Sequence, residues 1–104
     1  MEQFIAYENN GGDRLTYPYL INMQHPVANV LNHALVIPVT GLRENGVTPP
    51  KKVCPVVMIA GQSCVALTHM MAGIPAKELG YPIQDLSPER HKLRDAVDFL
   101  INGY

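Results

Sequence analysis

The sequence predicts a mainly β fold of antiparallel strands with one α-helix at its C-terminal end. Three observations carry that expectation. Short β-rich runs, broken by glycine and proline, recur from residue 3 to residue 75. Two of them are separated by a single glycine, Gly61, and read as a hairpin. Only the last segment has helical periodicity, with Leu93, Ala96, Val97, Leu100 and Ile101 at i, i+3, i+4, i+7 and i+8. With this many short strands a small barrel or a sandwich is the natural closure. The 104 residues match one domain, 1–104, and contain no repeat, low-complexity tract or linker.

Taken in order, residues 3–7 form a short strand, and Asn9-Asn10-Gly11-Gly12-Asp13 is a strong turn signal. Residues 17–23 alternate, with Tyr17, Tyr19, Ile21 and Met23 on one face and Leu20 and Asn22 on the other. Pro18 suits an edge or a bulge at the start of that strand. Residues 34–39 are a further strand, stopped or bent by Pro38. Residues 40–52 hold two glycines and two prolines and read as a loop, either mobile or a contact surface. The hairpin of 53–60 and 62–68 follows, and Ala72-Gly73-Ile74-Pro75 closes it. Residues 76–81 fit a strand or one helical turn. In the last segment Ser87 suits the N-cap, Pro88 the first helical position, and Glu89 complements the positive helix end. Gly103 fits the residue just past the helix. A helix this short needs its apolar face packed on a sheet or on a second copy.

The hairpin also bears on the two cysteines. A turn centred on Gly61 sets Cys54 opposite Thr68 and Cys64 opposite Met58, so the thiols are expected to be buried and not joined to each other.

Charged residues make up only 16% of the chain, well below the roughly 25% of soluble domains, and that favours an apolar interface over a neutral polar surface. Lysine and arginine nowhere cluster beyond Lys51-Lys52, and the net charge is −1. Direct binding of DNA or RNA is therefore not expected, because it depends on neutralising phosphates. No apolar run is long enough to span a membrane, and the start lacks the basic and apolar regions of a secretory signal. A cytoplasmic protein is expected.

The search for chemistry comes back nearly empty. His25, His33, His69 and His91 lack metal-ligand spacing, and Cys64 with His69 is an isolated pair. Ser63-Cys64 has no glycine elbow, and the glycines match no phosphate loop. Acidic residues are scattered without an evident pair. No cofactor, metal or catalytic residue is expected.

Several short stretches nevertheless occur in a telling order. They are Gln3-Phe4, Val36-Ile37-Pro38, Pro55-Val56-Val57 with Ile59, Thr68, Met71-Ala72-Gly73-Ile74-Pro75, Asp85-Leu86-Ser87, Arg90, and Gly103. Across nearly the whole chain this order and spacing resemble the CcdB family of toxins from bacterial toxin–antitoxin modules. The resemblance implies a partly open, Src-homology-3-like antiparallel β-barrel with a C-terminal helix, working as a homodimer. It implies binding to the A subunit of DNA gyrase, trapping of the cleaved-DNA complex, and neutralisation by a CcdA-like antitoxin with a disordered C-terminal segment. The toxin–antitoxin complex of such modules represses its own operon, with operator DNA contacted through the antitoxin. The poisoning tail falls on Ile101, Asn102, Gly103 and Tyr104, and Val27 aligns with a further apolar gyrase-contact position. Only Gly103 matches the family's aromatic–Gly–Ile ending; Asn102 stands where an aromatic ring is usual. Relative to the family, a small insertion shifts the loop of residues 9–14, with an expected effect on antitoxin contacts. Two other readings stay open. One is an endoribonuclease of similar fold, using Arg14, Arg43 or Glu44. The other is a degenerate homologue that binds antitoxin and spares gyrase.

Overall fold

The structure, a computed structural model, describes residues 1–42 and 50–103. Seven strands follow in order: β1 (Ile5–Asn9), β2 (Tyr19–Asn22), β3 (His33–Gly41), β4 (Val56–Ile59), β5 (Gln62–Ala66), β6 (Ala72–Pro75) and β7 (Leu79–Asp85). One helix, α1 (Arg90–Asn102), ends the chain, entered through a 3-10 turn at Ser87–Glu89. The strands form one antiparallel sheet in the order β4-β5-β3-β2-β1-β7, with β6 also paired to β3. The fold is thus mainly antiparallel β, a curled half-barrel with a C-terminal helix, as the sequence leads one to expect.

The curl originates in β3. Its residues Val36 to Val39 pair with β2 on one edge. On the other edge its first half, His33 to Val36, pairs with β6, and its second half, Val39 to Gly41, pairs with β5. Pro38 sits where β3 exchanges one neighbour for the other. Its carbonyl accepts from Leu67 N–H at 2.9 Å, so its missing N–H falls on that same side, in the gap between β6 and β5. The proline therefore does not stop the strand, one of the two expected effects. Thr40 and Gly41 likewise belong to β3 and not to the loop.

The concave side holds the main core. Phe4, Ala6, Ile21, Ile37, Val39, Val57 and Ile59 pack there with Leu86 and Leu93, and Tyr19 and Met23 join from the face that alternation assigns them. Each fully buried aliphatic side chain contributes roughly 1.5–3 kcal/mol of transfer free energy. The other side is covered too: Leu20, Ala34 and Val36 pack with Met1, Ile74 and Leu79. Ile74 reaches this cluster from β6 as the ladder partner of Ala34, and Leu79 from the start of β7. Residues 76–81 are both of the open alternatives, a 3-10 turn at Ala76–Glu78 running into β7.

The hairpin is present, but its register differs by one residue. Met58 pairs with Ser63 and Val57 with Cys64, because the turn takes two residues, Ala60 and Gly61, both at positive φ (53° and 79°). That is the primed turn whose twist suits a hairpin. Centring on Gly61 alone missed the contribution of Ala60. Cys54 lies before β4, opposite no strand residue, beneath Val65 and Leu67 in a third cluster, while Cys64 belongs to the main core. Both sulfurs are buried.

Candidate functional site

The C-terminal helix is anchored before it begins. Asp85 Oδ1 accepts the N–H of Ser87 at 2.8 Å. The Ser87 hydroxyl and N–H together hold the Asp85 carboxyl below its usual pKa. The Asp85 carboxylate thus pins the start of the 3-10 turn, and among the described residues neither that turn nor α1 has a side-chain N-cap, from Ser87 or any other residue. Ser87 falls inside the 3-10 turn because the chain tightens before α1 starts at Arg90. Leu86 is buried, and its N–H bonds Phe4 O at 2.8 Å, tying the helix root to the start of β1.

The apolar stripe read from the sequence divides along its length. Leu93 and Ala96 are fully buried, and Val97 packs at the core margin. Leu100 and Ile101 are 44% and 72% exposed, so among the described residues they are much less covered than Leu93 and Ala96. The last turn has run past the edge of the sheet. Gly103 closes the helix at φ 80°, and its N–H bonds Phe99 O at 2.8 Å. A glycine adopts that left-handed backbone without the Cβ clash of other residues. Asn102 and Gly103 are exposed, and Tyr104 lies outside the described residues. Two cation–π contacts flank the helix: the Arg94 guanidinium 5.2 Å from the Phe4 ring, and Lys52 Nζ 5.8 Å from the Phe99 ring.

Val27 sits in a 3-10 turn at Pro26–Val30 that the sequence did not suggest, although Pro26 at its first position is a usable signal. Its side chain is 77% exposed, and its N–H bonds His25 Nδ1 at 3.1 Å. Gln24 holds the turn against β3, donating to Ala28 O and His33 O and accepting from Leu35 N–H. No hydrogen bond or shared pocket among the described residues joins Val27 to Ile101, Asn102 or Gly103. Met23, Leu35, Met71 and Val97 give an apolar part to the lining of a hollow of about 250 Å³, which Gln3, Arg94 and Asp98 also line. Sequence reasoning did not find this apolar rim, nor the exposed Val30 and Leu31 beside Val27. Its members come from β3, α1 and the residues flanking β2 and β6, which only the fold brings together.

Elsewhere the chemistry is sparse. His69 meets Cys54, not Cys64, with Nδ1 3.5 Å from Sγ. Burial pushes the Cys54 thiol up, only partly offset by the Thr68 N–H, so the pair is not an activated nucleophile. The Thr68 hydroxyl bonds Val53 O. Among the described residues no group of three or more His, Cys, Asp or Glu is placed to hold a metal ion. Arg14 is exposed and bonds Gly11 O in its own turn; Arg43 and Glu44 lie outside the described residues. No described helix is long and apolar enough to cross a membrane.

A curled antiparallel half-barrel thus roots the first turns of one helix in its core, and the last turn of that helix is the more exposed. The family model of the CcdB protein matches residues 3–103, and this chain belongs to the CcdB family, the toxins of toxin–antitoxin modules.

Proposed function

We propose that this chain is a toxin that binds the A subunit of DNA gyrase and traps the cleaved-DNA complex, without catalysis of its own. It acts in the cytoplasm as a homodimer, and a CcdA-like antitoxin neutralises it and supplies the operator-DNA contacts. The observation that carries this is the exposed helix end. Leu100 and Ile101 are solvent-facing on the last turn of a helix whose earlier residue Leu93 is fully buried, so they are pre-positioned for a partner. Ordering is already done in the fold, which lowers the entropic cost of docking. Ile101, Asn102, Gly103 and Tyr104 form the gyrase-binding tail, with Val27 as a second contact across the apolar rim.

The test is expression in cells with and without excess gyrase A subunit. Growth arrest, relief by the excess subunit, and accumulation of the cleaved-DNA complex are the expected results. Arrest without that complex, accompanied by RNA cleavage, overturns the proposal in favour of the endoribonuclease. Healthy growth with intact antitoxin binding favours the degenerate homologue.

A further inference from the structure

The sheet ends in two strands, β4 and β7, and among the described residues no strand pairs with the outer edge of β4. The two-residue turn makes Ile59–Gln62 and Val57–Cys64 the pairs that exchange ladder bonds, and Ala66 N–H donating to Pro55 O at 3.0 Å continues that alternation. The N–H and C=O of Val56 and Met58, and the N–H of Ala60, therefore face outward. Side chains guard the two ends of this edge. Lys92 Nζ donates to Val56 O at 3.3 Å, and Gln84 of β7 accepts from Ala60 N–H at 3.4 Å. Between them stands Met58, with its side chain 47% exposed. Lysines on an edge are one way natural sheets discourage unwanted pairing, and a guarded edge is also a template for a chosen strand.

The Val56 end of this edge opens into a groove of about 740 Å³ beside α1. Val56 and Phe99 supply apolar surface, and Lys51, Lys52 and Lys92 supply three ammonium groups next to β4. Lys92 also pairs with Glu89 at 3.0 Å. Asp95 and Asp98 line the groove on the helix.

We propose that the β4 edge takes an extended acidic segment of a partner protein as an added strand. Its backbone pairs with Val56 and Met58, and its carboxylates meet Lys51, Lys52 and Lys92, drawing Lys92 off Val56 O. The segment loses its acidic character where it passes Asp95 and Asp98, since like charges there oppose it. The partner is the neutralising antitoxin; that identity alone rests on the function proposed above.

The test titrates the full chain at low salt with a short capped peptide of alternating glutamate and valine, beside a lysine–valine control. The glutamate peptide binds, weakens as salt is added, and slows amide exchange at Val56 and Met58. Met58→Pro removes an outward N–H and no inner ladder bond, which an edge strand tolerates, and weakens binding at least about tenfold. Lys51→Glu with Lys52→Glu does the same while leaving the backbone edge intact, and it decides the matter if the proline variant does not fold. No binding by the native chain, equal binding of the lysine peptide, or a peptide-independent doubling of mass that Met58→Pro abolishes overturns the inference. Gyrase trapping is measured on the same preparations. A chain that traps gyrase but ignores the peptide sinks the edge site alone, and one that binds the peptide but spares gyrase sinks the gyrase reading alone.

Discussion

Shortening Leu93 and Ile101 to alanine should have very different costs, although both lie on one helical stripe. Leu93 is fully buried in the main core beneath α1, among Phe4, Ile37, Val57 and Leu86. Leu93→Ala removes that transfer energy and leaves a cavity, for a cost of about 2–5 kcal/mol. Ile101 is already 72% exposed. Burial of a whole isoleucine is worth roughly 1.5–3 kcal/mol, and little more than a quarter of its surface is covered, so Ile101→Ala should cost less than about 0.8 kcal/mol. Urea unfolding followed by circular dichroism gives both values from the shift of the midpoint at constant slope. Each should be measured over a range of protein concentrations, because dimerisation adds stability by mass action. A cost for Ile101→Ala equal to that of Leu93→Ala, independent of concentration, refutes the claim that the helix end is mostly exposed in the single chain. The same variant is expected to retain its fold and to lose gyrase trapping.

Three further outcomes are expected. Ala60→Asn should raise stability by about 0.5–1 kcal/mol, read from urea midpoints, because asparagine tolerates the positive φ of that primed turn better than alanine; a lower midpoint contradicts the turn assignment. Asp85 has its folded pKa depressed by the Ser87 hydroxyl and N–H, so its contribution is present above the ordinary carboxylate pKa of about 4 and fades as pH falls through the folded value. Asp85→Asn should therefore flatten the acid limb of a thermal-stability profile below about pH 4, and an unchanged limb counts against the Asp85–Ser87 hydrogen bonds. Deleting Gly103 and Tyr104 should leave the circular dichroism spectrum and antitoxin binding nearly intact while abolishing the cleaved-DNA complex; a truncated chain that still traps cleaved DNA removes the tail from the mechanism.

Local chemistry was enough for what local chemistry controls. Alternation put Tyr17, Tyr19, Ile21 and Met23 on one face, and the last three do share the main core; helical spacing marked a stripe of Leu93, Ala96, Val97, Leu100 and Ile101, of which Leu93 and Val97 pack on that core and Ala96 is buried. Gly103 ends the helix in the left-handed conformation because glycine tolerates it best. The ordered short stretches carried the family as well, since the match runs over residues 3–103. What remained hidden depends on neighbours far away in the chain. Pro38 lies inside β3 because its missing N–H falls where β3 changes from β6 to β5, a junction made by residues more than 25 positions downstream. The one-residue hairpin slip arose because Ala60 adopts a positive φ that its side chain does not favour. The rim of Met23, Leu35, Met71 and Val97 is assembled from the residue after β2, from β3, from the residue before β6 and from α1, and no spacing rule reaches across it. The division of the helix into a rooted half and a presented half was settled by the reach of the sheet beneath it. Periodicity shows that a stripe is apolar; only the extent of the surface facing it determines where burial stops.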